Sequence, residues 1–291
     1  MRNKSVFFGL SSGIFWGLGV AISSVIFLKF DISPFLVALI HDFFSIFVLF
    51  IILKMQGKKI RLSIFSSLKS WAVVLAAVLA GPIGMQSSLY AVKYMGGAMT
   101  SAVTAIYPVI SLLLAFVFLK QKSSKNIFIG IMFIVVGIFL ESYGAGNITS
   151  LYLGLLFAFV CAFAWGSESV LGSYAMSGDL SEIEALLIRQ ITSFLAYLII
   201  FVFVRVEWIN KAQDINILLL IVAMVLSNMV SYILYYKAIN NLQAAKATGL
   251  NVTYVVWTIV FMYLFTGSVI SIKALVTSLL IVVGVYIIIK E

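Results

Sequence analysis

Ten apolar runs, each about 20 residues long, follow one another along almost the whole of this 291-residue chain. That is the length an α-helix needs to cross a hydrocarbon core about 30 Å thick at roughly 1.5 Å per residue. The runs cover roughly 5–28, 33–54, 71–94, 98–119, 126–143, 150–175, 182–204, 215–238, 244–265 and 272–290. No water reaches the backbone inside a bilayer, and a helix satisfies all of its own N–H and C=O groups within one segment. The expected fold is therefore an all-α integral membrane protein of ten transmembrane helices. Composition agrees: with 63% hydrophobic residues, 10% charged residues and a mean hydropathy of +1.18, a soluble globule is excluded. The longest connections, near 55–70 and 205–214, are short, so a site is expected inside the bundle or at its mouths. Arg2 and Lys4 precede a full-length span with no small-residue cleavage site, which reads as a retained first helix.

The net charge of +9 does not imply nucleic acid, because its distribution follows membrane orientation. With the N-terminus inside, cytoplasmic segments carry Arg2, Lys4, Lys54, Lys58, Lys59, Arg61, Lys69, Lys120, Lys122, Lys125, Lys237, Lys246 and Lys290. The opposite side carries Lys29, Lys93, Arg205, Lys211 and Lys273, and Arg189 lies within a span. Both termini are expected in the cytoplasm. The connection near 176–182 falls on the same side despite Asp179 and Glu182, since acidic residues contribute little to this rule. The single cysteine, Cys161, has no intrachain partner and reads as packing.

The chain also repeats itself. Trp16-Gly17 recurs as Trp165-Gly166, Asp31-Ile32-Ser33 as Asp179-Leu180-Ser181, and Ile134-Val135-Val136-Gly137 as Ile281-Val282-Val283-Gly284. Tyr90 to Ala98 can be laid on Tyr236 to Ala244 in the same order. The chain is thus expected to hold two five-helix halves, 1–145 and 146–291. An odd number of spans makes the second half enter from the opposite side, so the repeats are inverted about an axis in the membrane plane. Two such bundles can open alternately to either side of one midplane site. Gly81-Pro82-Ile83-Gly84 should bend the third span, either to line a cavity or as an ordinary kink. Gly96-Gly97-Ala98 and Ala244-Ala245-Lys246-Ala247 suit close helix approach.

Polar groups placed within spans mark the chemistry, because each is costly there. They are His41, Asp42, Glu168, Glu184 and Arg189. Glu168 lies three residues after Trp165, one turn away on the same helix face, while Gly19 holds that place in the first half. Glu168 thus reads either as a charge offered to a ligand or as a structural partner of Arg189. Trp71 and Trp208 fit the interfacial belt, whereas Trp16, Trp165 and Trp257 lie about ten residues from either surface. Tyr232, Tyr235 and Tyr236 crowd the eighth run, and Tyr90 lies in the third. Aromatic faces beside one carboxylate favour a soft cation, and a quaternary ammonium such as choline fits that arrangement. Asn251, Gln86 and Asn228 offer amides for an alcohol end. No cluster with metal-ligand spacing occurs, so no metal, no cofactor and no enzymatic chemistry are expected.

The duplicated pattern, with Tyr90-Ala91-Val92-Lys93-Tyr94 before a small-residue turn and Tyr107-Pro108 in the fourth run, resembles the EamA-type branch of the drug/metabolite transporter superfamily over the whole chain. Longer strings are similar to the LicB choline permeases: Gly13 to Gly19, His41-Asp42-Phe43, Gly81 to Gln86, Ala164 to Ser169, Glu182 to Gln190 and Ala245 to Val252. The resemblance implies choline import across a bacterial inner or plasma membrane, to be phosphorylated for decoration of cell-surface polymers. It further implies a cation-π pocket of Trp16, Trp165 and Tyr235, with Tyr90 and Glu168 as neighbours. Trp257, Gln86 and Asn251 complete the expected substrate-binding set. The wider superfamily often has arginine midway along the second helix of each half. Arg189 keeps it, but His41-Asp42 replaces it in the first half.

His41 is the one histidine, it adjoins a carboxylate within a span, and no set of oxygen ligands suggests sodium. A proton is therefore the expected coupling ion, with Asp42, His41 and Glu168 as its carriers; the plainer reading of His41 is a hydrogen-bonded partner of Asp42. Related quaternary amines are further expected ligands. An exporter of amino acids or other amphiphilic cations is the alternative within the same superfamily. Ten spans complete an inverted pair, so a monomer is expected.

Overall fold

A computed structural model describes residues 2–57, 67–121, 124–142, 148–178, 180–203, 215–267, 269 and 271–290. Among these residues every regular element is a helix: α1 (Arg2–Lys29), α2 (Pro34–Met55), α3 (Leu68–Val78), a π-helical stretch (Leu79–Met85), α4 (Gln86–Met95), α5 (Gly97–Thr104), α6 (Tyr107–Leu119), α7 (Lys125–Ser142), α8 (Ile148–Met176), α9 (Glu182–Phe203), α10 (Ile215–Asn241), α11 (Ala244–Asn251), α12 (Tyr254–Thr266) and α13 (Ile272–Ile289). Eight of the ten expected spans are helical runs long and apolar enough to cross a membrane. The other two correspond to α7 and α13, whose apolar stretches, Lys125–Gly137 and Ile272–Ile288, are shorter. Lys58, Lys59, Arg61, Lys122, Asp179, Arg205, Trp208 and Lys211 lie outside the described residues, as does the expected boundary at 145–146.

Large apolar side chains such as Phe116, Phe118, Phe139 and Phe203 are exposed, as hydrocarbon-facing residues should be. Lys246, counted above among the cytoplasmic charges, is instead nine-tenths buried in α11. Helix starts follow local chemistry. Ser33 caps α2 by accepting from Phe35 N at 3.3 Å, with Pro34 in the first turn. At α9, Glu184 Oε2 accepts from Ser181 N at 3.0 Å and from Ser181 Oγ at 2.7 Å. Glu184, read above as a polar residue within a span, is thus half of a capping box.

Three spans are interrupted, and those interruptions shape the interior. Pro82 has no N–H to give, and the helix widens to a π-turn around it. The loosened Gly81 carbonyl does not open into a cavity: Tyr197 Oη of α9 donates to it at 2.9 Å. Gly96 turns the chain between α4 and α5 at φ 80°, a left-handed value that glycine tolerates. The runs 97–119 and 244–266 both break after eight residues and resume for thirteen, giving α5 with α6 and α11 with α12.

Helix α1 packs on α10, α11 and α12, while α8 packs on α3, α4 and α6. Each of these two long helices therefore lies mainly among helices from the other half of the chain. Helix α2 packs on α9, and α7 on α13, where Gly130 and Gly284 each face the carbonyl of the other. The core formed around α1 and α8 is where the deep tryptophans meet.

Candidate functional site

The repeated Trp-Gly pair has a division of labour. A Cβ placed on Gly17 would lie 2.8 Å from the Tyr254 carbonyl oxygen, and one on Gly166 would lie 2.9 Å from that of Tyr107. Each glycine lets its long helix press against the first turn of a resumed helix, α12 or α6. The adjacent tryptophan then turns toward the centre. Trp16 and Trp165 meet edge to face with ring centroids 5.1 Å apart and planes at 85°. Tyr232 of α10 stands edge to face on Trp16 at 5.1 Å, and Tyr107 of α6 approaches Trp165 at 6.4 Å. Edge-to-face contacts of this kind suit the quadrupoles of the rings.

Around these rings is a small cavity of about 20 Å³, lined by Trp16, Tyr107, Trp165, Glu168, Ser231, Tyr232, Tyr235 and Asn251. Five expected site residues are brought together here: Trp16, Trp165, Tyr235, Glu168 and Asn251. Three are not among its lining residues. Tyr90 stacks on Phe157 at 5.1 Å and on Tyr94 at 6.2 Å. Trp257 backs Gly17 and pairs with Phe261 at 6.2 Å. Gln86 has both amide atoms buried without a hydrogen bond. Tyr107, Ser231 and Tyr232 line the cavity although the expected set omitted them. Tyr232 was foreshadowed by the tyrosine spacing on its helix; Tyr107 follows a break, repeated before Tyr254, that the structure alone shows.

Glu168 lines the cavity and is also paired. Arg189 Nε donates to Glu168 Oε1 at 2.9 Å, and Tyr236 Oη donates to the same oxygen at 2.9 Å. The guanidinium lies 4.3 Å from the Tyr232 ring centroid, donates to Tyr232 Oη at 2.5 Å, and also bonds Gln190 Oε1. Arg189 and Glu168 are almost wholly buried, 1% and 2% exposed. Glu168 is thus the structural partner of Arg189 on a side chain that also lines the cavity. With its charge matched by Arg189, Glu168 is not a bare carboxylate beside the aromatic faces.

Asn251 is already engaged. Its Oδ1 accepts from Tyr107 Oη at 2.7 Å, and its Nδ2 donates to Ser12 Oγ at 2.7 Å. Tyr107 Oη also reaches the Thr248 carbonyl at 3.2 Å. A matching set lies opposite: Tyr254 Oη bonds Thr104 Oγ1 at 2.7 Å and the Ser101 carbonyl at 3.1 Å. Thr104 and Asn251 end α5 and α11, and each is held by the tyrosine that opens the other broken run's second helix.

His41 and Asp42 are fully buried but are not among the lining residues. His41 Nδ1 is 3.0 Å from Asp42 Oδ1, and Asn228 Nδ2 is 3.3 Å from His41 Nε2. This geometry suits the tautomer protonated at Nδ1, which donates to Asp42 and accepts from Asn228. Ser193 Oγ of α9 donates to Asp42 Oδ2. Asn228 Oδ1 lies against Gly19, where no side chain could be placed without overlap. The pair thus ties α2 to α9 and α10.

Comparison with known proteins agrees with this architecture. The chain is 28% identical to Protein LicB of Haemophilus influenzae over 292 aligned residues, covering 97% of this chain and 96% of that protein. A crystal structure, described only as that of a protein, shares the fold with a TM-score of 0.76 at 16% identity, over 99% of this chain and 96% of its own. The profile of the EamA-like transporter family matches residues 3–143 and 152–290. With nearly its whole length matched, this multi-pass membrane protein belongs to the EamA-like transporter family.

Proposed function

We propose that this protein is a secondary transporter that imports choline across a bacterial inner or plasma membrane by alternating access, coupled to protons. The observation that carries the reading is the aromatic cavity, in which Trp16, Trp165, Tyr107, Tyr232 and Tyr235 surround a space beside an internally neutralised Glu168. A trimethylammonium group has no N–H to give, so π faces recognise it better than hydrogen-bond acceptors do. The resemblance of the long sequence strings to LicB choline permeases supports the same ligand.

Alternating access requires two related halves that exchange arrangements about one site. Support for two inverted five-helix repeats, 1–145 and 146–291, comes from the reciprocal bonds of Tyr107 to Asn251 and Tyr254 to Thr104. Residues related by a two-fold axis contact one another in this mutual way. The Trp16-Gly17 and Trp165-Gly166 contacts with Tyr254 and Tyr107 repeat the pattern. In this reading both termini are cytoplasmic, one chain is the working unit, and imported choline is phosphorylated to decorate cell-surface polymers. His41 and Asp42 carry the coupling proton in a network separate from the cavity, and Glu168 adjoins both ligand and Arg189.

The test is uptake of radiolabelled choline by proteoliposomes. Accumulation driven by an inward proton gradient is expected, and it should fall to the level without a gradient in Asp42→Asn. Equal uptake with and without the gradient in the unaltered protein would exclude coupling. No choline uptake in either condition, with export of other cations, would favour the exporter alternative.

A further inference from the structure

A second and much larger cavity, of about 660 Å³, lies between the third span, α6 and α8. Its walls are Leu75 and Leu79, Leu114 and Phe118, and Phe163 and Tyr174. Leu75, Phe118 and Phe163 are each more than half exposed, so this groove opens toward hydrocarbon and not toward the interior. On α8 the lining residues Phe163, Ser167, Val170 and Tyr174 recur every three or four positions and form one stripe, whereas Trp165 and Glu168 lie on another. The groove is therefore separate from the aromatic cavity. Ser167 Oγ is engaged within its own helix, donating to the Phe163 carbonyl at 2.8 Å, which leaves walls suited to a hydrocarbon chain.

One end of the groove is marked by charge. The start of α3 meets the end of α8 there, where Lys69 Nζ stands 5.8 Å from the Tyr174 ring centroid and donates to the Ser177 carbonyl at 3.2 Å. That bond uses one of the three donors of an ammonium. Lys120 is exposed and directly follows Leu119, which also lines the groove. Neither lysine has a carboxylate partner among the described residues. From Tyr174 back to Phe163, α8 rises about 16 Å at roughly 1.5 Å per residue, which is about half of a hydrocarbon core roughly 30 Å thick. The groove is thus one leaflet long, with cations at its head.

We propose that this groove holds one acyl chain of an anionic phospholipid whose phosphate is bound by Lys69 and Lys120. Apolar walls receive the chain, and lysines at headgroup level attract the anionic head. In the orientation proposed above the lipid belongs to the cytoplasmic leaflet. The site itself is independent of what occupies the aromatic cavity.

The test is native mass spectrometry of the purified full chain with phosphatidylglycerol, with phosphatidylethanolamine of identical acyl chains, and with glycerol 3-phosphate. The unaltered protein should bind phosphatidylglycerol at least tenfold more tightly than phosphatidylethanolamine and should not retain glycerol 3-phosphate. Lys69→Gln with Lys120→Gln should bring the two lipids within threefold of each other. Leu75→Trp should weaken both lipids at least fivefold; Leu75 is 53% exposed, so a larger side chain there fills the groove without crowding the core. An unchanged thermal midpoint in lipid-free detergent reports that each variant is folded. Equal binding of the two lipids by the unaltered protein, or a preference that survives loss of both lysines, would overturn the headgroup assignment. Lipid binding unmoved by Leu75→Trp, or glycerol 3-phosphate bound as tightly as phosphatidylglycerol, would overturn the acyl-chain groove. A lipid-free dimer that Leu75→Trp disrupts would assign the groove to a second copy of the chain instead.

Discussion

Trp16 and Trp165, 149 residues apart in sequence, meet edge to face in the middle of the molecule with centroids 5.1 Å apart. Each comes from a long helix that lies mainly among helices of the other half, so the contact joins both halves at one point. A desolvated cation-π contact contributes about 2 kcal/mol, roughly 30-fold in affinity. Trp16→Ala and Trp165→Ala should each weaken choline binding by about that factor in titration calorimetry. Unchanged affinity in both would remove the aromatic cavity from consideration as the ligand site.

The ion pair of Glu168 with Arg189 should behave as one unit. Removing a single partner of a buried pair strands the other charge and costs about 3–5 kcal/mol, whereas replacing both with apolar groups is often nearly neutral. Glu168→Gln and Arg189→Leu are each expected to lower the thermal unfolding midpoint in detergent markedly. The double substitution Glu168→Leu with Arg189→Leu should recover much of the loss. Additive losses would show that the two side chains do not depend on each other.

Gly19 occupies the place that carries a glutamate in the second half, and the structure gives a reason. Asn228 lies against its Cα while holding His41 Nε2 at 3.3 Å. Gly19→Ala would push Asn228 away, at about 1–3 kcal/mol for an overpacked core. Lower stability and slower gradient-driven uptake are expected, with Asn228→Ala restoring stability in the double variant. If the double variant is no more stable than Gly19→Ala alone, the crowding lies elsewhere.

Tyr107 and Tyr254 make matching hydrogen bonds, but only Tyr107 lines the cavity. Tyr107→Phe and Tyr254→Phe should each reduce stability by about 1 kcal/mol, a typical net contribution of one hydrogen bond. Choline affinity should fall in Tyr107→Phe alone, since that change frees Asn251 beside the ligand. A comparable fall in Tyr254→Phe would mean that the clasp as a whole, rather than the cavity wall, sets affinity.

Much of the site was legible because depth in a membrane can be counted along a chain. Trp16 and Trp165 stood too far from either surface to be interfacial, and Glu168 followed Trp165 by one turn. Which face of a span looks inward was far less legible. In water an apolar stripe marks the core, but lipid is as apolar as a protein interior, so that contrast disappears within the bilayer. Tyr90 and Trp257 were accordingly expected at a cavity whose lining does not include them, and Tyr107, which lines it, was not.

By itself the sequence determined the class of fold, since runs of about 20 apolar residues leave the backbone no alternative to helix in hydrocarbon. It also marked one break, at Pro82, whereas the breaks after Thr104 and Asn251 became visible only in the structure. Only the tertiary structure decided how the charges pair. Nothing local links Arg189 to Glu168, His41 to Asn228 or Tyr107 to Asn251, because those partners come from different helices brought together by packing. The same packing decided that Glu168 meets a guanidinium as well as a cavity, so in the proposed reading a cation is left to the aromatic faces around it.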